Sequence, residues 1–148
     1  MNLLKDVSIR AVGAPISAGS TIDGNSDIID MQGYDGVLFA GTVTDSVATG
    51  VATLKVEQNT ANADSGMAAL SGAQAAATCV VNDDLNDKAL VVDVYKPRER
   101  YVQAVRTSLT ANIAFGSLFA ILYKGRKMPE AEHSSILDAA LAISPAEA

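Results

Sequence analysis

The side chains able to do chemistry are few in this chain, and that scarcity is the first constraint on function. His133 is the single histidine and Cys79 the single cysteine. His133 stands between Glu132 and Ser134 in a polar stretch, where a solvated loop residue is expected, because a general base must be held rigidly against its substrate. Cys79, between Thr78 and Val80, reads as a buried, inert thiol on a strand. One cysteine cannot close an internal disulfide, so the fold must hold without one and a reducing compartment is expected. No Gly-x-Ser-x-Gly elbow, Walker loop or Cys/His cluster occurs. A catalytic triad or zinc site has almost nothing to be built from, so the chain reads as a non-enzyme with no cofactor and no metal. The run Asn82, Asp83, Asp84, Asn86 and Asp87 offers oxygen ligands of the kind calcium takes, yet it lacks the Gly and the placed Glu of a helical calcium loop. A solvated turn is the favoured reading.

The more informative residues are two basic clusters, Tyr95-Lys96-Pro97-Arg98-Glu99-Arg100-Tyr101 and Tyr123-Lys124-Gly125-Arg126-Lys127. Each lies at the end of a predicted strand, so a sandwich fold would allow them to gather into one positive rim. Arg makes planar, bidentate contacts to carboxylates, which suits such a rim to an acidic protein surface, a second copy of this chain included. The competing reading is a solvated turn with local pairs, Arg98 with Glu99 or Asp93, of little energetic weight. Tyr34, Tyr95, Tyr101 and Tyr123 are candidate platforms for a sugar ring. Against that stand the absence of Trp and the placing of Phe39, Phe115 and Phe119 in core-like runs.

Charge is unevenly spread over the 148 residues. The net charge is −6, but residues 1–87 carry three bases against eleven acids, residues 88–127 eight bases against two acids, and residues 128–148 four acids with no Lys or Arg. A chain this acidic is a poor tracker of a nucleic-acid backbone. No stretch reaches the roughly 18 apolar residues of a membrane span, and the start lacks the apolar run of a signal peptide. No direct nucleic-acid or membrane partner is expected. With 49% hydrophobic and 19% charged residues, the expectation is one compact soluble domain with a real core, kept in the cytosol unless something carries it elsewhere.

The elements that must position the basic clusters read as short strands. Val7 to Val12 alternates at period two. Asp23-Gly24-Asn25 and Gln32-Gly33-Tyr34-Asp35-Gly36 read as turns. Gly36 to Thr44 places Val37, Phe39, Gly41 and Val43 on one face. Val51 to Gln58 puts Ala52, Leu54 and Val56 opposite Thr53, Lys55 and Glu57, as a half-exposed antiparallel strand does. The Ala-rich Gly66 to Val81 is ambiguous, its second half, through Thr78-Cys79-Val80-Val81, reading as a strand. Lys88 to Tyr95 carries Leu90, Val92 and Val94 inward and is stopped by Pro97. Tyr101 to Ser108 alternates again. Ile113 to Tyr123 is apolar on both faces, with Ile113, Phe115, Phe119 and Ile121 together, and is expected to be central and buried. About eight strands and no helix before residue 130 indicate an antiparallel β-sandwich or jelly roll over residues 1–129. Residues 130–148 form a tail in which Ser135 to Ile143 reads either as a short amphipathic helix or as an extended arm.

The run Lys88-Ala89-Leu90-Val91-Val92-Asp93-Val94-Tyr95-Lys96-Pro97-Arg98-Glu99-Arg100-Tyr101-Val102, then Thr110-Ala111-Asn112, then Ala120-Ile121-Leu122-Tyr123-Lys124-Gly125-Arg126-Lys127-Met128-Pro129, resembles the small capsid cement, or decoration, proteins of tailed bacteriophages. Tyr34 to Phe39 and Thr53 to Gln58 fit the same pattern, so the resemblance spans residues 5–129 and is most specific over 88–129. It implies a jelly-roll module on the outer capsid surface that ties major capsid protein subunits together against internal DNA pressure, itself as a homodimer or homotrimer. It also implies interface roles for Arg98, Arg100, Tyr101, Arg126 and Lys127, and for Ile136, Leu137 and Leu141 in an arm lying along a neighbour. The alternative is a glycan-binding β-sandwich of a phage tail or cell surface.

Overall fold

In a computed structural model, which describes residues 2–147, period-two patterning becomes two antiparallel sheets packed face to face. The outermost residues of the expected domain and tail, Met1 and Ala148, lie outside the described residues. A single helical turn, α1 (Leu3–Asp6), precedes strands β1 (Val7–Gly13), β2 (Ile16–Gly19), β3 (Asp23–Asn25), β4 (Ile29–Asp30), β5 (Gly36–Ser46), β6 (Val51–Asn59), β7 (Ala68–Thr78), β8 (Ala89–Tyr95), β9 (Tyr101–Leu109) and β10 (Ile113–Tyr123). One sheet runs β1-β10-β5-β8 with β2 also on β10; the other runs β3-β9-β6-β7 with β4 also on β9.

The expected eight strands are thus ten among the described residues. The excess comes from two broken strands, since β1 and β2 share one side of β10 while β3 and β4 share one side of β9. Between β1 and β2 lies Pro15, which has no N–H to give a ladder. Asp23-Gly24-Asn25, expected as a turn, is instead strand β3, pairing in register with Thr107, Arg106 and Val105. β7 ends at Thr78, so Cys79 lies just beyond the strand rather than on it, buried, with its Sγ 3.0 Å from the Val81 carbonyl. Val80 and Val81 are exposed.

Val37, Phe39, Leu118, Ala120 and Leu122 of one sheet meet Leu54, Val56, Val102 and Ala104 of the other in the main core. A smaller cluster of Val43, Ala52, Ile113 and Phe115 closes one end. β10 is central, as expected, but only its inner face is covered. Between Phe115 and Leu118 the register slips against β5, and a bulge of this kind switches which parity faces inward. Ile113 and Phe115 are buried before the bulge, and Leu118, Ala120 and Leu122 after it. Phe119 and Ile121 consequently turn outward, and Phe119 is 43% exposed.

The tail is irregular, not helical. A nine-residue amphipathic helix is marginal without a docking face, and the arm here is held instead through its side chains. The Ala11 N–H donates to Ser135 Oγ at 3.0 Å, and the Tyr34 hydroxyl donates to Glu130 Oε1. The first part of the arm therefore covers the β1 edge, while Leu137, Leu141 and Ile143 stay exposed.

Candidate interface

The two basic clusters meet at one end of the sandwich. The β4–β5 turn stitches them: the Lys96 N–H donates to the Asp35 carbonyl at 2.6 Å, the Arg126 N–H to the Gly33 carbonyl at 2.9 Å, and the Met31 N–H to the Arg100 carbonyl at 2.8 Å. A cleft of about 520 Å³ results, lined by Lys96, Arg98, Arg100 and Arg126 together with Tyr34 and Glu99. An adjoining cleft of about 430 Å³ shares Tyr34 and Arg126 and adds Lys127 and Glu130. Arg98, Arg100, Arg126 and Lys127 are all exposed, and Tyr101 is half-buried under the Arg100 guanidinium, 5.1 Å above its ring.

The four cations are not equivalent. Arg100 forks onto Asp30, Nε to Oδ1 at 2.9 Å and Nη2 to Oδ2 at 2.8 Å, and this hydrogen bonding holds the Asp30 carboxyl below its usual range. The only other ion pair among the described residues is Lys55 with Glu57. Neither the Arg98–Glu99 nor the Arg98–Asp93 pair of the competing solvated-turn reading forms. Asp93 projects from the outer face of β8 and accepts instead from the Tyr123 hydroxyl at 2.6 Å. Burial, then this bond to a carboxylate, pushes the Tyr123 phenol well above its ordinary value. Among the described residues Arg98 thus keeps its guanidinium free while its backbone N–H donates to Gln58 Oε1.

Beside the rim lies a surface that sequence reading missed. Register across β1, β10, β5 and β8 places Ala11, Phe119, Ala40 and Val91 in one outward row, and Ile9, Ile121, Leu38 and Asp93 in the next. Tyr123 and Tyr95 follow, their rings parallel with centroids 6.5 Å apart, and the Lys96 and Lys124 ammonium groups lie near Tyr95. Val91, Tyr95 and Phe119 are each about half exposed. Leu3, Leu38, Ile121 and Met128 line an apolar depression of about 580 Å³ at its margin. The bulge in β10 hid this face, because strict alternation assigned Phe119 inward.

The remaining chemistry-bearing residues are tied into backbone. Asp84 Oδ2 accepts from the Val80 and Val81 N–H groups at 3.0 and 3.3 Å, and its carboxyl lies below its usual value through contact with Cys79 and then these bonds. No cluster of three metal-ligating side chains occurs among the described residues. His133 Nδ1 contacts Ser135 Oγ at 2.8 Å within the arm. No described helix is long and apolar enough to cross a membrane. No known protein family matches the sequence, and no curated protein is significantly similar to it.

Proposed function

We propose that this protein is a non-enzymatic structural subunit of a virion that decorates a tailed-phage capsid, bridging major capsid protein subunits on the outer surface and associating with further copies of itself. The observation that carries the reading is the outward apolar face of Phe119, Val91, Ile121 and Leu38, bordered by the Lys96, Arg98 and Arg126 rim. A contiguous apolar patch with a polar border is the composition of a protein-docking surface, with an apolar centre supplying affinity and a charged rim supplying orientation. The strand orders β1-β10-β5-β8 and β3-β9-β6-β7 support a jelly roll, in which split strands fill two of eight ladder positions.

The test is mass spectrometry of purified particles made from the genome that encodes this chain, followed by re-addition to particles stripped of it. The expected result is presence in the particle and co-sedimentation of the native chain, with Phe119→Asp plus Val91→Asp folded but left in the supernatant. Absence from the particle, or full binding of the double variant, would overturn the reading.

A further inference from the structure

Of the four sheet edges of the sandwich, β1 and β7 are treated differently. The β1 edge is covered by Glu130 to Ile136 of the chain's own arm. At one edge of the other sheet, β7 pairs with β6 alone, and no described strand pairs with its free side. Its sequence, Ala-Ala-Leu-Ser-Gly-Ala-Gln-Ala-Ala-Ala-Thr, contains no charge and no Pro. Charge and Pro are two of the usual devices that keep an edge strand from pairing with another chain. A third, a bulge, interrupts β7 opposite Lys55 to Glu57 with Gly72 at positive φ, so residues 74–78 beyond it are the part left competent to accept a strand. A cleft of about 570 Å³ runs beside it, walled by Leu70 to Ala73 of β7 on one side and by Asp93 to Arg98 on the other.

The same chain carries an unpaired segment of matching kind. Beyond the turn closed by the Ile136 N–H on the His133 carbonyl, residues Leu137–Glu147 make no backbone hydrogen bond among the described residues. Leu137, Leu141 and Ile143 are exposed. The segment carries Asp138 and Glu147 and no base, whereas the cleft presents Lys96 and Arg98. Fully extended it reaches about 35 Å. Its root lies on β1 of the other sheet, at the side of the sandwich away from β7, so a strand that begins at residue 137 is directed to another molecule rather than to its own β7 edge.

We infer that residues 137–147 of one copy add as an extended strand to β7 of a second copy, with Leu141 and Ile143 entering the cleft between β7 and β8. Main-chain hydrogen bonds supply the attachment and the small residues of β7 allow close approach. The contact is head-to-tail: each copy donates an arm at one edge and accepts one at the other, so it closes a ring or extends a row. It goes beyond docking on a shell, because it requires no shell.

Sedimentation velocity of the full chain tests this. Gln74→Lys plus Ala76→Lys blocks the acceptor, and Leu141→Asp plus Ile143→Asp blocks the donor. Each variant, with an unchanged circular-dichroism spectrum, is expected to weaken self-association by roughly tenfold or more. An equimolar mixture of the two is expected to form a one-to-one complex that grows no further, because the intact arm of the first fits the intact edge of the second. Hydrogen exchange is then expected to show new protection at Gly72 to Thr78. A mixture that stays monomeric, variants that associate as the native chain does, or unchanged exchange at β7 would overturn the inference. Shell binding through Phe119 and Val91 is read in a separate co-sedimentation and does not depend on this result.

Discussion

Arg106 donates from Nη1 to the Gly116 carbonyl at 2.6 Å, tying the middle of β9 in one sheet to the bulge of β10 in the other. Its Nη2 reaches the Ala14 carbonyl at 2.8 Å, at the break between β1 and β2. The residue is buried, its guanidinium lies 5.9 Å from the Phe115 ring centre, and it has no carboxylate partner among the described residues. A buried cation is tolerated here because two carbonyls freed by irregular backbone need donors, and a planar fork supplies both.

Replacing it tests that account. Arg106→Met leaves both carbonyls without a donor, at about 1–3 kcal/mol each, partly offset by no longer desolvating a charge. The expected net loss is about 2–4 kcal/mol in urea unfolding. Arg106→Lys, with a single ammonium in place of the fork, should recover only part of it. A loss within about 0.5 kcal/mol, the range of ordinary surface changes, would sink the bracing role.

Arg106 also marks where the sequence was legible and where it was not. Val102, Ala104, Arg106 and Ser108 share the inward parity of β9 and are all buried, so an arginine in that series was a readable sign of a buried polar brace. The strands β5, β6, β8 and β9 were recoverable because their inner faces alternate without interruption over one buried core. β10 was half recoverable: Gly116 inside the run is a bulge signal, but strict alternation read through it, and a one-residue slip reverses every later side chain. The gathering of Arg98 with Arg126 was foreseeable from both clusters lying at strand ends. The capture of Arg100 by Asp30 was not, because that pair is set by the register of β4 on β9.

Close packing around Tyr123 gives an alkaline signature. A Cβ at Gly36 would stand 2.2 Å from the Tyr123 ring, so the ring lies directly on the β5 backbone while its hydroxyl holds Asp93. The phenol is raised, chiefly by burial, so its contribution is fully present below the unfolded value of about 10 and is lost as pH rises toward the folded value. Native stability should therefore fall with pH above about 10 by an increment that Tyr123→Phe lacks. Parallel stability–pH curves for the two proteins across that range would contradict it. Gly36→Val should displace the ring and abolish the difference.

The arm should loosen in acid. Burial raises the Glu130 carboxyl, but hydrogen bonding with Tyr34 and Ser8 and the nearby Arg10 charge together outweigh it and leave the group below its ordinary value. A depressed carboxyl stabilises docking above the unfolded value of about 4.3 and loses that contribution as pH falls through the folded value. At neutral pH the arm stays seated on β1. Amide exchange at Ala11, whose N–H donates to Ser135, should become relatively faster below about pH 4 once corrected for intrinsic rates. Glu130→Gln should show the faster exchange already at pH 7; native-like protection in that variant would remove Glu130 from the latch.

The rim and the apolar face should separate kinetically. Arg98 and Arg126 face solvent with their guanidinium groups unpaired among the described residues, whereas Arg100 is neutralised by Asp30. On the proposed docking role, long-range attraction to an acidic partner surface depends on the first two more than on Arg100, and exposed charges act mainly on association rate and are screened over about 8 Å at physiological salt. Arg98→Glu plus Arg126→Glu should slow attachment to shells roughly tenfold or more at low salt and flatten its salt dependence, while Arg100→Gln changes it little. Phe119→Asp places a carboxylate at the apolar centre and should act on dissociation instead, leaving the salt slope as it was. Surface-immobilised shells with the protein in flow give both rates. If the Glu variants accelerate dissociation and leave the association rate and its salt slope untouched, the rim belongs to the buried centre of the contact and not to its border.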